Sequence, residues 1–248
     1  MPFRVTNIHI ERTKNIGDLS SAPCLYLDLG AEKKDITSGF IDPNKPLIIG
    51  GGGLGYPAFS AWFFSMVSNH KAPVIVWGVG GNVHGSKNIE TPEWIGKTAL
   101  AGVRDFGSGY EWVPCASCLH PGFSTSATIR HTLVAYVHGG IGLSIRLPKG
   151  TPTKTNFGCS MEEAIKFIGQ SEYVVTNSYH GVYWATLLGR KVIVDPFSSR
   201  HRFFKHPPAS LESRSLQEAM AEAKSYPEAL GECREANRSF FQKVSEIL

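Results

Sequence analysis

The sequence lacks the features that mark a secreted, membrane-spanning or metal-dependent protein. Its N-terminus has no basic segment followed by an apolar one, and no apolar run is long enough to cross a bilayer. The five cysteines are odd in number and widely dispersed, which argues against a disulfide framework. No HExxH-like spacing brings histidines and carboxylates together, so we expect no metal. These absences predict a cytoplasmic protein.

A strong charge of either sign is also missing. The 248 residues include 25 Lys or Arg and 21 Asp or Glu, a formal net charge of +4 that is spread along the chain. This excess is too small to indicate a nucleic-acid partner, although it suits a small anionic substrate. With 42% hydrophobic residues and no internal repeat, the chain can bury a full core as one large domain or two smaller ones.

The most informative segment covers residues 173–189, where a β-branched run is followed by polar residues suited to capping and then by apolar residues at helical spacing. This pattern predicts a strand, a tight loop and a helix whose first turn contains His180 and Gly181. Free amides and the helix dipole there favour an anion, and Gly181 would let a ligand approach the backbone. The same position would keep the His180 imidazole neutral. The alternative is that His180 only packs at the helix start.

The N-terminal strand pattern over residues 3–10 also leads into glycine and polar residues. Gly17 can adopt a positive φ, and Asp18, which follows Asn15 and Gly17, can either cap a helix or face a ligand. A helix is then predicted over residues 22–29.

Two further apolar strands, at residues 46–49 and 74–79, end in glycines. The first is followed by four consecutive glycines at residues 50–53, without the Lys-Ser/Thr ending of a P-loop. This run forms either a ligand-facing loop or a tight packing turn. A series of strands that end in this way, separated by helix-length segments, predicts a parallel sheet with ligands at its carboxyl edge.

The other predicted elements complete an α/β pattern. Arg104, at the end of a short strand, could bind a carboxylate or phosphate bidentately or could pair with Asp105. Cys115 and Cys118 lack the second pair that a structural zinc site needs, so structural cysteines are expected. Helices are predicted at residues 58–67, 94–100, 160–168 with a capping box, and from 216 onward with interruptions near 227 and 231; further strands are predicted at 132–138 and 191–195, with a polar loop at 147–157.

Taken in order, these motifs resemble the polysaccharide pyruvyl transferase family, and the resemblance covers most of the chain. The segments that carry it are Asn15-Ile16-Gly17-Asp18, the glycine run at 50–53, Trp77-Gly78-Val79-Gly80, Val103-Arg104-Asp105 and Thr176-Asn177-Ser178-Tyr179-His180-Gly181. Residues 115–121 and 196–208 are similar to the branch that modifies bacterial exopolysaccharides.

The resemblance implies a fold similar to GT-B glycosyltransferases, with two Rossmann-like halves facing across a cleft. The expected divisions are residues 1–124, residues 125–225, and a C-terminal helix at 226–248 that packs across the boundary. The implied reaction transfers the enolpyruvyl carbons of phosphoenolpyruvate onto a sugar as a ketal, without a cofactor. The acceptor would be a saccharide, in some cases lipid-linked, which would bring a cytoplasmic enzyme to the surface of the inner membrane. Oligomeric state is not implied.

By the same resemblance, His180 corresponds to the catalytic histidine and Arg104 to a cation near phosphoenolpyruvate, while Asp18 would orient the acceptor. Some members carry arginine two residues before the histidine, where this chain has Ser178, so the second phosphate-binding cation remains open among three basic residues of the 196–208 loop. The expected substrate-binding residues are Asn15, Gly17, Gly51, Gly52, Gly53, Asn177, Ser178, Tyr179, Gly181, Arg200, Arg202 and Lys205.

Two other functions fit the same sequence features. A glycosyltransferase that uses a nucleotide sugar would need the same two halves and a loop-helix diphosphate site. A non-catalytic sugar- or nucleotide-binding module is the third hypothesis, and it leaves His180 and the nearby cations without a chemical role.

Overall fold

The computed structural model describes residues 5–88, 91–125 and 127–248. Over these residues the protein is an α/β protein with a six-stranded sheet, a five-stranded sheet and six α-helices. The strands are β1 (Val5–His9), β2 (Ala31–Asp35), β3 (Leu47–Gly50), β4 (Val74–Val79), β5 (Leu100–Val103), β6 (Glu111–Trp112), β7 (His131–Val137), β8 (Thr153–Thr155), β9 (Ser171–Thr176), β10 (Lys191–Val194) and β11 (Ala209–Ser210). The helices are α1 (Ile16–Leu19), α2 (Pro57–Asn69), α3 (Met161–Gly169), α4 (Tyr179–Leu187), α5 (Leu216–Glu222) and α6 (Ala229–Ile247).

Both sheets are parallel and both reverse their strand order next to the first strand. The orders are β2-β1-β3-β4-β5-β6 and β11-β10-β9-β7-β8. In each sheet the second strand lies on one side of the first, and the chain then crosses to the other side. Such a reversal opens a crevice at the carboxyl ends of the strands, between β1 and β3 in one sheet and between β7 and β9 in the other. This topology is compatible with two Rossmann-like halves.

The central strands are apolar on both faces because helices cover both. Leu47 and Ile49 of β3 pack in one cluster with Phe63 of α2, whereas Ile48 packs in another with Phe240 of α6. In the second sheet, neighbouring residues of β9 alternate in the same way between a cluster containing α3 and α4 and a cluster containing α5. The near-continuous hydrophobic strands are therefore those of a parallel sheet with two covered faces.

Helix α6 contacts both sheet layers. Phe240 and Val244 lie in the core of the first sheet, and Cys233, near the start of the helix, lies in the core of the second. The first sheet uses residues 5–112 and the second uses residues 131–210. The assignment of strands to sheets does not define domain boundaries. The predicted domain limits at residues 124 and 225 therefore stay a prediction.

Two backbone connections join the halves on either side of the cleft. In one, the N–H of Ile16 donates to the carbonyl of Asn156 over 2.9 Å. In the other, the loop at 196–208 reaches the first half, where the N–H of Ser199 donates to the carbonyl of Val83 over 2.9 Å. These bonds position the N-terminal end of α1 and the 196–208 loop around the space between the two sheets.

Several predicted elements are wrong in detail. Residues 22–29 form only a short 3-10 helix at Pro23–Leu25, because this segment packs against the end of β3, where a Cβ on Gly50 would lie 2.6 Å from the Pro23 ring. Residues 94–100 are not an α-helix: a 3-10 helix at Glu93–Lys97 is followed at once by β5. Gly231 lies inside α6 and does not interrupt it.

The strands absent from the sequence prediction are short or polar edge strands. The sequence of β2 is Ala-Glu-Lys-Lys-Asp, and β8, within the predicted loop at 147–157, is Thr-Lys-Thr. Edge strands carry charged residues that obstruct pairing with another sheet, so they lack the apolar pattern of a buried strand. The strand predicted over residues 3–10 begins outside the described residues and is otherwise β1.

Candidate active site

Residues from both crevices line one small polar cavity. Residues from α1, from the glycine run and from the end of β5 line it on one side; residues after β7, at the start of α4 and in the 196–208 loop line it on the other. The lining residues are Asn15, Asp18, Gly53, Arg104, His138, Ser178, Tyr179, His180 and Arg200. Most of the residues that the sequence marked as catalytic or substrate-binding thus meet in one space.

His180 lies in the first turn of α4, as the sequence predicted. Ser178 is the N-cap residue, and its hydroxyl accepts a hydrogen bond from the N–H of Gly181. The imidazole is 4% exposed, and desolvation, together with the positive charges of Arg104 and Arg200, lowers its pKa well below the usual value. The imidazole is therefore neutral at physiological pH, although burial and the two guanidinium groups matter more than the helix terminus.

Arg104 follows β5 and is 3% exposed. Its guanidinium carbon lies 3.7 Å from the centroid of the Tyr179 ring, a cation-π contact that holds the side chain in the cavity wall. The Nε atom is 3.9 Å from Oδ1 of Asp105 and has no hydrogen-bond partner within the described part of the chain. Asp105 instead accepts a 2.6 Å hydrogen bond from the N–H of Gly81. The pair predicted as the alternative role of Arg104 is therefore only a loose contact.

Arg200 approaches the same cavity from the 196–208 loop. Its guanidinium carbon lies 4.8 Å from the centroid of the Phe197 ring. Desolvation and the nearby Arg104 lower its pKa to about 10, against the opposing effect of Asp18. A guanidinium group whose pKa is lowered lacks sufficient negative charge around it, so the cavity has the electrostatic character of an anion site.

Asp18 faces the cavity because Asn15 takes the capping role. The side-chain carbonyl of Asn15 accepts from the N–H of Gly17 at 3.0 Å, and its amide donates to Oδ2 of Asp18 at 2.8 Å. The amide of Asn156, in the second half, donates to the same carbonyl of Asn15 at 2.8 Å. Desolvation raises the pKa of Asp18, while Arg200 and Arg104 oppose the shift. A carboxyl whose pKa is raised in a cavity is a candidate proton carrier.

Gly17 and Gly181 both lie in close contact with other residues, but in different ways from those the sequence suggested. Gly17 is helical and does not adopt a positive φ; a Cβ there would overlap Nδ1 of His180. Beside Gly181, the space that a Cβ would need is occupied by Thr176 and Tyr136 of the neighbouring strands. Gly17 therefore admits the imidazole to the cleft, whereas Gly181 allows α4 to pack closely on its sheet.

The glycine run divides into packing positions and one lining position. Gly51 and Gly52 have φ of 80° and 81°, and a Cβ on Gly51 would overlap the carbonyl group of Ser21. Gly53 lines the cavity, and a Cβ there would lie 3.3 Å from the side chain of Asn82. The run therefore contains a tight packing turn at Gly51 and one residue, Gly53, that lines the cavity.

The Asn177 side chain holds the backbone next to the cavity through three hydrogen bonds. Its side-chain carbonyl accepts from the N–H of His138 at 2.8 Å, and its amide donates to the carbonyls of Ile141 and Gly142 at 2.8 and 2.9 Å. These bonds fix the turn after β7 and place His138 in the cavity wall. Desolvation, Arg200 and His84 lower the pKa of His138 to about 4, so this second imidazole is also neutral.

Two basic residues expected at the site lie outside the lining of this cavity. Arg202 forms a 2.8 Å ion pair with Glu212 on the surface. Lys205 forms a 2.8 Å ion pair with Glu232, and its ammonium group lies 4.8 Å from the centroid of the Trp112 ring. Among the three candidate cations of the loop, Arg200 is the one that reaches the polar cavity.

Sequence reasoning missed the contributions of His138 and Cys115. Sγ of Cys115 lies 3.5 Å from Nε2 of His180, and the residue is fully buried. No local spacing relates residue 115 to residue 180; only the packing of α4 on the segment after β6 brings them together. For His138, the available signal was its position at the end of a predicted strand, since the observed strand ends one residue earlier, at Val137.

A larger cleft adjoins the polar cavity and shares Asn15, Asp18, Gly53, His138 and Arg200 with it. Its volume is about 680 Å³, and its remaining walls are largely aromatic and apolar. The additional lining residues are Ile10, Tyr56, Phe59, Asn82, His84, Ile141 and Phe197. The polar cavity thus opens onto a wider, largely apolar surface.

Within residues 5–88, 91–125 and 127–248, no group of three or more His, Cys, Asp or Glu side chains could hold a metal ion. No helix there combines the length and hydropathy needed to cross a bilayer.

In comparisons with known proteins, the chain matches no protein-family model and no curated protein.

Proposed function

We propose that the protein transfers a pyruvyl group from phosphoenolpyruvate to a sugar, in a GT-B-like arrangement of its two halves. The observation that carries the proposal is the meeting of Arg104 and Arg200 with His180 and Asp18 in one small cavity. Two cations, a neutral imidazole and a carboxyl of raised pKa suit a small anion that undergoes proton transfer.

Phosphoenolpyruvate matches the cavity in charge. Its phosphate and carboxylate are two anionic groups that Arg104 and Arg200 can each bind through paired N–H donors. A guanidinium group with a pKa of about 10 gains most from such a ligand, because the ligand supplies the missing negative charge.

The adjoining cleft is the site proposed for the acceptor. The rings of Tyr56, Phe59 and Phe197 offer apolar faces on which the C–H side of a sugar can pack, while Asp18 and Asn15 lie where the cleft meets the polar cavity. The acceptor class, an exopolysaccharide unit or its lipid-linked precursor, and a cytoplasmic location at the inner-membrane surface belong to the same proposal.

The proposed reaction needs two C–O bonds to form and one to break. Two acceptor hydroxyls add to C2 of phosphoenolpyruvate, the methylene carbon gains a proton to become a methyl group, and the bridging oxygen leaves with the phosphate. Of the two hydroxyl protons, one balances the methyl group and the other leaves on phosphate. The guanidinium groups stabilise the departing phosphate and the carboxylate beside the cationic carbon.

His180 is the proposed proton carrier. In the free protein its imidazole is neutral, because burial and two guanidinium groups disfavour the charged form. A bound phosphate and carboxylate reverse the sign of the nearby charge and raise the pKa of the imidazole. Donor binding therefore brings His180 into the range where it can deliver a proton to the methylene carbon or accept one from a hydroxyl.

A ligand panel followed by a turnover assay tests the proposal. Phosphoenolpyruvate at a hundredfold excess over its dissociation constant should stabilise the protein by about 2.7 kcal/mol in a thermal-shift assay. Phosphate release should then require a saccharide acceptor. Stabilisation by nucleotide sugars alone would support the glycosyltransferase instead, and phosphate release without acceptor would refute pyruvyl transfer.

A further inference from the structure

The imidazole of His138 is held by its own turn and by two aromatic rings. It follows β7 directly, and the N–H of Gly140 donates to its Nδ1 atom over 3.2 Å. The rings of Phe157 and Phe197 are in edge-to-face contact with it, with centroids 5.5 and 6.2 Å away. The imidazole therefore has a defined orientation in the wall of the cleft.

The hydrogen bond from Gly140 determines which nitrogen of His138 carries the ring hydrogen. A backbone N–H can only donate, so Nδ1 is the acceptor and has no hydrogen of its own. Desolvation, Arg200 and His84 lower the pKa of the imidazole to about 4, so the ring is neutral at physiological pH. A neutral imidazole has one ring hydrogen, which is therefore on Nε2.

His138 and Arg200 occupy the same part of the site. Both line the polar cavity and the adjoining cleft, and both contact the ring of Phe197. Because Nδ1 is bound to its own turn, Nε2 is the ring nitrogen that is free to meet a ligand, and it has no hydrogen-bond partner within the described part of the chain. An N–H donor and a guanidinium group are thus available to one ligand.

We infer that His138 is a substrate-binding residue whose Nε2–H donates a hydrogen bond to an oxygen of the anion bound by Arg200. The inference deepens the proposed function and rests on it for the identity of the anion, whose phosphate or carboxylate oxygen would be the acceptor. A hydrogen bond from a neutral ring adds a contact without placing a third positive charge beside Arg104 and Arg200.

The same geometry assigns His138 no part in proton transfer. A bound anion raises the pKa of a nearby imidazole, but a second hydrogen would have to occupy Nδ1, directly against the N–H of Gly140. Loss of the one hydrogen from Nε2 would leave an imidazolate. The ring therefore meets the anion as a neutral donor, and the proton carrier of the proposed reaction remains His180.

Two substitutions separate the contact with the anion from the contact with the turn. In His138→Asn the short side chain can still accept from the N–H of Gly140, two residues on, but it cannot reach the position of Nε2. In His138→Gln the longer amide can place an N–H near that position and does not maintain the turn. Calorimetry should therefore show phosphoenolpyruvate binding weakened about ten- to hundredfold in His138→Asn and largely retained in His138→Gln.

His120 is the matched control, because it makes the same local bond away from the cleft. Its Nδ1 accepts from the N–H of Gly122, also two residues on, at 3.1 Å. Its Nε2 lies 3.2 Å from a carboxylate oxygen of Glu162 and does not line either cavity. His120→Asn and His120→Gln should both bind phosphoenolpyruvate as the parent does.

Nitrogen-15 NMR of the full chain with labelled histidines gives a second readout. The His138 signals are assigned by their loss in His138→Gln, and at neutral pH they should show Nε2 protonated and Nδ1 unprotonated. Phosphoenolpyruvate should shift the Nε2–H signal and leave the tautomer unchanged. The opposite tautomer, or an Nε2–H signal that saturating phosphoenolpyruvate does not move, would overturn the inference.

The binding pattern decides between the two roles of the ring. Retained binding in His138→Asn with weakened binding in His138→Gln would show that the imidazole only holds its turn. If His138→Gln does not fold, parental binding by folded His138→Asn overturns the inference and weakened binding supports it. If inorganic phosphate binds with the predicted Asn and Gln pattern but phosphoenolpyruvate yields no phosphate with any acceptor, the proposed function fails while the contact from His138 stands.

Discussion

The two halves of the molecule share one plan but contribute opposite chemistry to the cleft. Buried carboxyls near the cavity come from the first half, where desolvation raises the pKa of Asp18 and of Asp105. Buried imidazoles come from the second, where desolvation lowers the pKa of His138, His180 and His201. Each half also supplies one arginine.

This difference explains why the site needs both halves. Burial drives the acids and the bases toward their neutral forms, whereas guanidinium groups keep their charge. The cleft therefore combines proton-carrying groups of both kinds with a net positive field from Arg104 and Arg200. Neither sheet alone has an acid, a base and two cations at its carboxyl edge.

Removing the base of the second half should have the largest effect. His180→Gln keeps a hydrogen-bonding side chain but no proton carrier, so turnover should fall by about a hundredfold or more while binding of phosphoenolpyruvate is retained. Phosphate release and calorimetry measure the two quantities. Because the imidazole is 4% exposed, His180→Ala should also lower stability, which makes Gln the cleaner variant.

An equal loss of binding and turnover in His180→Gln would reassign His180 to anion binding. Turnover close to that of the parent would remove its catalytic role altogether.

The second-largest loss of turnover is expected from Gly17→Ala, which adds a methyl group between the halves. In Gly17→Ala the new Cβ would overlap Nδ1 of His180, so the imidazole must move, and a displacement of about 1 Å can lower turnover by about a hundredfold. Gly231→Ala is the matched control: it lies in α6 with no atom within 4 Å of the new Cβ, and it should keep full turnover and gain up to about 1 kcal/mol of stability. Parental turnover in both variants would show that the close contact with His180 is dispensable.

Removing either arginine should have a smaller effect, of similar size for Arg104 and Arg200. Arg104→Ala and Arg200→Ala should each weaken phosphoenolpyruvate binding about ten- to hundredfold, since a charge-assisted hydrogen bond contributes about 1.5 to 3 kcal/mol. Arg202→Ala, on the same loop as Arg200 but paired with Glu212 at the surface, should bind as the parent does. Calorimetry measures all three. A weak effect at Arg200 with a strong one at Arg202 would transfer the second cation site to Arg202.

The pH dependence of stability distinguishes the buried histidines from the buried carboxyls around the cavity by sign. Histidines whose pKa is lowered by folding bind protons more readily in the unfolded chain, so the free energy of unfolding falls as pH drops below about 6.5, by up to about 1.4 kcal/mol per pH unit for each histidine. For His201 the loss extends to its folded pKa of about 3. Asp18 and Asp105, with raised pKa values, act oppositely: they contribute stability at low pH that is lost as pH rises through their folded pKa values.

His201→Leu removes one buried imidazole of the second half, whose pKa is lowered chiefly by desolvation. Urea unfolding between pH 7 and pH 5 should then show a shallower decline in the free energy of unfolding than in the parent. An unchanged slope would mean that folding does not shift the pKa of His201, and the contrast between the halves would rest on His138 and His180 alone.

Much of the fold could be predicted because its central strands carry strong local patterns. The runs in β3, β4 and β9 are apolar on both faces, and the box at Ser160 and Glu163 caps α3 as expected. Edge strands such as β2 and β8 could not be found in this way, since their residues meet solvent and pair only because a neighbouring strand is present. The segment at 22–29 failed as a helix because packing against Gly50 outweighed its apolar content.

For the site, the sequence by itself determined which residues lie at strand ends: Asn15, Asp18, Arg104 and His180 each follow a recognisable strand, and strand ends in a parallel sheet share one edge. Only the tertiary structure decided which of these residues meet. It selected Arg200 over Arg202 and Lys205, brought Cys115 to His180, and gave Gly17 its role opposite the imidazole. These relations depend on contacts between residues far apart in the chain, where the shape of the packed helices and the desolvation of charged groups outweigh any local pattern.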